Sequence, residues 1–435
     1  MKSILVTGLC TLHWGRLQYG NIGNYYIIEP LFRQLHEHFK EYRILTTFQM
    51  DEKFIEKENI EVLPMDLYYV WDAESDVNNA KNDVEIAEKY MNNKECKLSP
   101  YVKVLLDCEY VINVSGDMWG DNAEHVGHDR FLVDCLKMQT AQILKKKTIL
   151  YAVTPGPFEK SGKNDVARDV FSKFDLVVIR EKISMNNLIK WGFPVDKVVW
   201  APCPSFLFDR NEAYESKWTW KIEESHGDNR KIIGLTFGGF NMPCGPYDMW
   251  PREEEQFEVF VSLVEYIIDE LHANIMIFSH TNGFELPPKF KLINGRDFII
   301  LEELYRIVLK RHPEYCKYIF LVDEPLLPCN IKKLIGTMDM LITGRVHASV
   351  ASVSQCVPTV YVEYEQNVIY SDKMSGFSAQ VGMEEYVCAP GNLEEIKKKV
   401  QKCYTQISET RGELNKRIPQ IKECAINIFD KIKNL

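Results

Sequence analysis

The 435-residue chain has no apolar run approaching the roughly 20 residues that a spanning helix needs, so no integral membrane segment is expected. It has no Cys-x-x-Cys pair. Its twelve cysteines are scattered without regular spacing, which argues against a zinc module and against a disulfide framework and points to reduced thiols. It has no basic surplus: the net charge is −10, so wholesale nucleic-acid binding is excluded and an anionic small molecule would need a local basic pocket. It lacks the Gly-Lys-Ser/Thr of a P-loop and the dinucleotide-binding glycine fingerprint. No cluster of ligands at metal spacing is visible, and neither a metal nor a cofactor is expected. The N-terminus, Met1-Lys-Ser-Ile-Leu-Val-Thr-Gly8, reads as a first strand rather than a signal peptide. The expected location is therefore cytoplasmic, with at most peripheral contact at the inner face of the cell membrane.

What the chain does have is two series of strand-like runs alternating with helical patterns. The first comprises 4–7, 42–47, 110–114, 148–153, 176–179 and 198–200, and the second 232–236, 274–278, 318–322, 340–343 and 359–362. Continuous apolar strands separated by helices imply parallel sheets covered on both faces. The length exceeds one core, so two domains are expected. The polar segment from Asn211 to Arg230 breaks the rhythm and supplies a boundary. The expected division is an N-terminal Rossmann-like domain over 1–210, a C-terminal one over 225–390, and charged C-terminal helices over 391–435. The acidic, Asn-rich stretch at about 48–100 reads as an insertion, either shaping a substrate pocket or decorating the surface.

In open α/β sheets ligands bind beyond the carboxyl ends of the strands, and that is where the chemistry-bearing residues cluster. Met340-Leu-Ile-Thr-Gly-Arg-Val-His-Ala runs from a strand through Arg345 and His347 into a helix of small residues. Arg345 offers a planar cationic fork, and His347 a proton that moves near neutral pH. Arg180 occupies the equivalent strand end in the first series, so the two arginines suggest a clamp on a doubly charged anion. Gly20-Asn-Ile-Gly-Asn24 opens the first helix, where Asn21 or Asn24 serves either a ligand or a helix cap. Ser115-Gly-Asp-Met-Trp-Gly-Asp121 brings Asp117 and Asp121, as bases, as sugar-hydroxyl ligands or as turn caps. His280 follows the second strand of the second series. Tyr370-Ser-Asp-Lys373 adds a further polar cluster.

In that order, these loops resemble the polysaccharide pyruvyl transferase family, from about Gly20 to Gly382. Gly20-Asn-Ile-Gly-Asn24 matches its Gly-Asn-x-Gly-Asp-like turn, Ser115-Gly116-Asp117 its Ser-Gly-Gly-Gly-like loop, and Thr154-Pro-Gly-Pro157 its Gly-Pro turn. Arg180-Glu-Lys-Ile-Ser184, Arg345-Val-His347-Ala348 and Tyr370-Ser-Asp-Lys373 match its Arg, Arg-x-His-Ala and Tyr-x-x-Lys elements. Asp117, Asn24 and Pro155 depart from the pattern, on the side expected to meet the acceptor.

The resemblance implies a glycosyltransferase type B-like fold, with two Rossmann-like domains facing across a cleft. It also implies phosphoenolpyruvate as co-substrate and a sugar diol as acceptor, free or lipid-linked, in surface polysaccharide synthesis. Arg180, Arg345, Lys373 and His280 would then bind the donor. Asn21, Gly23, Asn24, Ser115 and Gly116 would line the substrate site. His347 would be the acid–base catalyst, with Asp117 and Asp121 as further catalytic candidates. The alternatives are a glycosyltransferase of the same architecture using a nucleotide sugar, and a non-catalytic glycan-binding relative.

Overall fold

A computed structural model describes residues 2–10, 20–160, 165–209, 218, 221–222, 224, 229–242, 250–285, 291–364 and 372–435. The strands of the first half are β1 (Ser3–Thr7), β2 (Gly20–Asn21), β3 (Arg43–Thr46), β4 (Glu61–Val62), β5 (Cys108–Asn113), β6 (Lys147–Val153), β7 (Leu176–Ile179) and β8 (Val198–Trp200). Those of the second are β9 (Ile232–Thr236), β10 (Asn274–Ile277), β11 (Thr281–Phe284), β12 (Leu292–Asn294), β13 (Ile319–Leu321), β14 (Met340–Thr343), β15 (Thr359–Val362) and β16 (Val387–Cys388).

Two all-parallel sheets result, in the orders β4-β3-β1-β5-β6-β7-β8 and β13-β10-β9-β14-β15-β16. In each, the first strand lies inside the sheet. The next two run out to one side and the later ones to the other, the order of a Rossmann-like unit. The central strands Ser-Ile-Leu-Val-Thr, Ile-Ile-Gly-Leu-Thr and Met-Leu-Ile-Thr are buried at every position, as sheets covered on both faces require. A third, antiparallel sheet, β12-β11-β2, joins Thr281 to Asn21 and Asn282 to Gly20.

The chain forms two compact units, but not as contiguous blocks. The first holds residues 1–17, 28–204 and 424–435, and the second 18–27 and 205–423. Residues 18–27 differ from the expected division because β2 pairs with β11 and the Tyr26 ring stacks on Phe208 at 4.6 Å. The last turns of the final helix (Ile407–Lys433) group with the first unit because Phe429 packs on His38 at 5.5 Å and Tyr151 at 5.7 Å. The helix Leu393–Thr405, expected in a separate tail, buries Ile396, Val400 and Cys403 in the second unit. Two of its lysines lie along the protein surface of the unit, while Lys398 and Lys402 are exposed. Lys399 bonds the Val387 carbonyl, and the Lys397 ammonium lies 5.5 Å from the Tyr266 ring.

The stretch expected as an insertion is part of the core of the first unit. Asp72 caps the helix Ala73–Met91 by accepting from Ser75 N, and that helix lies against the helix Arg130–Ile143. Tyr68, Tyr69, Ala80, Ala87 and Tyr101 join the hydrophobic cluster. Two buried ion pairs, Arg130–Asp76 at 2.6 Å and Lys137–Asp83 at 2.7 Å, cross the helix interface. Such pairs fix which residues face each other more than they add stability.

Candidate active site

In the second unit β9 and β14 are neighbours whose onward connections leave in opposite directions, so their carboxyl ends form the crevice in which this fold class places ligands. Phe237-Gly238-Gly239 follows β9, and Gly344-Arg345 follows β14. Arg345 is the N-cap of the buried helix Val346–Val353, and its backbone N–H donates to Thr343 Oγ1 at 2.9 Å. Its side chain is held by a carboxylate that no motif predicted. Nε donates to Asp297 Oδ2 at 2.9 Å and Nη2 donates to Oδ1. Asp297 is fully buried near the start of the helix Arg296–Arg311, and its backbone N–H donates to Thr281 Oγ1 at 3.2 Å. Glycine at 238 leaves room for this pair as it stands, since a Cβ there would sit 2.6 Å from Arg345 Nη2 and 2.7 Å from Asp297 Oδ1 and one of them would have to shift.

Two other residues complete the platform. The Asn241 amide accepts from Gly238 N at 3.0 Å and donates to the carbonyls of Val362 and Glu363, both at 3.1 Å. It also lies against Gly344, so one buried side chain ties together the ends of β9, β14 and β15. His347 is buried in the first turn of its helix, with the Phe377 ring edge-on at 6.2 Å. Its imidazole occupies the place that a side chain at residue 23 would need. The Gly-Asn-x-Gly turn and the Arg-x-His element are therefore in contact. Asn21 is spent on geometry: its side-chain oxygen accepts from Gly23 N at 2.9 Å, as a helix cap does. Asn24 is half-buried on the same turn.

His280 is 1% exposed, its ring edge-on to Tyr26 at 5.5 Å, and its Nε2 has no hydrogen-bond partner among the described residues. Burial, and then the charge of Arg345, push its imidazole down to about 3. That shift favours the neutral ring at physiological pH. Lys373 is buried, with its ammonium 5.4 Å from the Tyr364 ring. Its expected motif partner Tyr370 lies outside the described residues.

The first unit has the matching position between β1 and β5. There Ser115 Oγ donates to Asn113 Oδ1 at 2.5 Å and accepts from Leu9 N at 3.1 Å. Asn113 in turn donates to both oxygens of Asp134 at 2.9 Å, and Tyr68 OH donates to the same carboxyl at 2.8 Å. Burial pushes that carboxyl up to about 7, against its donors. Ser115 is fully buried in this network, so its hydroxyl braces the loop instead of meeting a substrate as expected. Gly116 accepts from Thr154 N at 2.8 Å and sits beside Arg180, with 3.7 Å left between a Cβ at 116 and Nη1. Arg180 is 2% exposed, donates from Nε to Thr154 Oγ1 at 2.7 Å and pairs with buried Glu181 at 3.6 Å. Burial opposes its charge, yet Glu181 and then Asp117 hold the guanidinium above its ordinary value. Asp121 accepts from Lys160 N at 2.9 Å while its own N–H donates to the Pro157 carbonyl at 2.8 Å, the turn-bracing alternative to catalysis. Among the described residues, Glu124, His128 and Asp129 could offer three metal-ligand atoms, but the trio is largely exposed.

Fold and site together describe a protein of two Rossmann-like units, with an anchored arginine and a histidine at a strand-end crevice of the second. The chain belongs to the polysaccharide pyruvyl transferase family, whose model matches residues 21–366. It is 22% identical to the amylovoran biosynthesis protein AmsJ of Erwinia amylovora over 56% of this chain and 54% of that protein, about half the relative's length. Among solved structures it resembles the UDP-GlcNAc 2-epimerase of Neisseria meningitidis (11% identity, TM-score 0.58, all of both chains). It also resembles a glycosyltransferase of Rickettsia africae ESF-5 (14% identity, TM-score 0.55, 99% of this chain and 98% of that one). At such identities the likeness concerns the fold, which is glycosyltransferase type B-like with two Rossmann-like domains.

Proposed function

We propose that the protein transfers the enolpyruvyl group of phosphoenolpyruvate to two hydroxyls of a sugar, forming a pyruvate ketal in the synthesis of a surface polysaccharide. The observation that carries this reading is the convergence of Arg345, His347 and the Gly20–Asn24 turn at one strand-end crevice, in a chain of this family. Arg345 and Lys373 supply positive charge for the donor's carboxylate and phosphate. His280, neutral and with an unpartnered ring nitrogen, supplies a hydrogen bond rather than a charge.

His347 delivers a proton to the donor's methylene carbon, which turns it into a methyl group and makes the adjacent carbon electrophilic. A sugar hydroxyl adds to that carbon and gives up its proton. Phosphate then leaves with its bonding electrons, and the second hydroxyl closes the ring with loss of its proton. Acid–base groups placed in this way contribute on the order of 10²–10⁴-fold, and a fixed guanidinium at the departing anion adds electrostatic stabilisation.

The test is a melting-temperature screen of phosphoenolpyruvate against nucleotide sugars, followed by mass spectrometry of candidate acceptors with the stabilising ligand. A ligand bound by the folded state raises the melting temperature. The expected result is stabilisation by phosphoenolpyruvate, and an acceptor that gains a pyruvyl ketal as phosphate is released. Stabilisation by a nucleotide sugar alone would instead favour glycosyl transfer.

A further inference from the structure

We infer that Asp297 is a positioning residue that sets the direction in which Arg345 presents its charge to the donor. The inference rests on the reading of Arg345 as a donor cation. A lone arginine side chain samples many rotamers, and fixing it is an entropic cost that binding would otherwise have to meet. Here that cost is met in the fold. Two nitrogens of the guanidinium are tied to the two oxygens of one carboxylate, and this sets the plane of the whole group. The carboxylate is itself fixed. Asp297 is fully buried, its backbone N–H is held by Thr281 Oγ1, and Gly295 before it lies so tightly against Thr281 that no side chain fits there. Thr281 pairs with Asn21 at the Gly-Asn-x-Gly turn and follows His280. The carboxylate that aims the arginine is thus keyed to the backbone that carries the other site residues.

Stability alone is a poor account of the pair. A buried ion pair is often matched or bettered by apolar side chains of the same volume. This one sits at the crevice of the sheet, beside the helix that carries His347, and its atoms are the nearest neighbours of a side chain at Gly238.

Two substitutions disturb the aim in different ways. Asp297→Asn keeps the shape and removes the second charge-assisted bond. Gly238→Ala leaves both charged groups in place and pushes a methyl group between them. Each is expected to raise the dissociation constant and KM for phosphoenolpyruvate by about 10- to 100-fold, the scale of a roughly 1 Å misplacement, with a smaller fall in kcat. Because both act through one contact, the double variant should lose little more than either alone. A merely structural pair would lower the melting temperature and leave donor affinity of the folded protein at the parental value.

Donor affinity is measured by calorimetry on folded parent, Asp297→Asn, Gly238→Ala and Arg345→Ala. If Arg345→Ala binds phosphoenolpyruvate like the parent, the donor role of Arg345 falls, and the present inference with it. If Arg345→Ala loses binding while Asp297→Asn and Gly238→Ala keep it, the positioning role alone is overturned. Should Asp297→Asn fail to fold, Gly238→Ala decides the matter, since it retains the charge balance.

Discussion

At the scale of single residues, the proposed function gives His280 and His347 of the second unit different duties. Burial and Arg345 hold His280 uncharged down to about 3, so an ionisation seen near neutral pH in the rate profile cannot be assigned to it. Under the proposed function, the acid that such a limb reports is His347. His347→Gln should lose most of kcat, by about 10²-fold or more, and should lose that limb of the pH–rate profile, while donor affinity changes little. Loss of affinity with near-parental turnover at saturating donor would instead make His347 a ligand for the donor and not its acid. His280 also predicts a stability effect. Between about 6.5 and about 3 the unfolded chain takes up a proton that the folded site refuses, so stability falls on acidification by about 1.4 kcal/mol per pH unit. In denaturant titrations at pH 7 and pH 4.5, His280→Gln should lose less stability than the parent between the two. Parallel losses would mean that His280 is protonated in the folded protein. The difference from the parent is what matters, because Asp134 in the first unit has the opposite sign. Its carboxyl is raised to about 7, so its contribution is full below about 3.8 and is lost as pH rises towards 7.

At the scale of elements, the site consists of strand ends and the turns that follow them, and small residues decide how closely these turns approach. Gly23→Ala tests this directly. Its Cβ would overlap the His347 imidazole, so the ring or the helix start must move. The expected outcome is a fall in kcat of about 10²-fold, with the second unit still folded cooperatively by circular dichroism. Unchanged turnover would show that the turn and His347 are not in register during the reaction. Eleven of the sixteen strands described above were legible in the sequence, because a buried parallel strand must be apolar along its length, and those expected runs match the observed ones to within about two residues, while the short β2, β4, β11, β12 and β16 left no such run. Arg345 and His347 were legible for a similar reason: they directly follow such a strand. Asp297 and Asn241 were not. Asp297 lies 48 positions from Arg345, and no local period connects a carboxylate in the first turn of one helix to the cap of another. The bracing role of Ser115 was not legible, because its hydroxyl bonds Asn113 two residues earlier and Leu9 over a hundred residues away, and only the folded chain brings these together.

At the scale of the whole molecule, the sequence showed two series of strands and helices but not where the chain passes between them. Ten residues at 18–27 join the second unit through a two-residue strand, too short to leave a periodic signal, and the last helix ends in the first unit through one aromatic contact set. The acidic stretch after residue 48 read as an insertion because its polar positions dominate, although its tyrosines and alanines fill the core beneath them. The family assignment and the anchored arginine converge on one claim, that the second unit binds phosphoenolpyruvate through Arg345. The most direct measurement is a calorimetric titration of phosphoenolpyruvate into the full-length protein and its Arg345→Ala variant, with a nucleotide sugar titrated in parallel. Saturable binding of phosphoenolpyruvate to the parent, lost in the variant and not reproduced by the nucleotide sugar, is the predicted result. Equal binding by parent and variant, or binding of the nucleotide sugar alone, would contradict it.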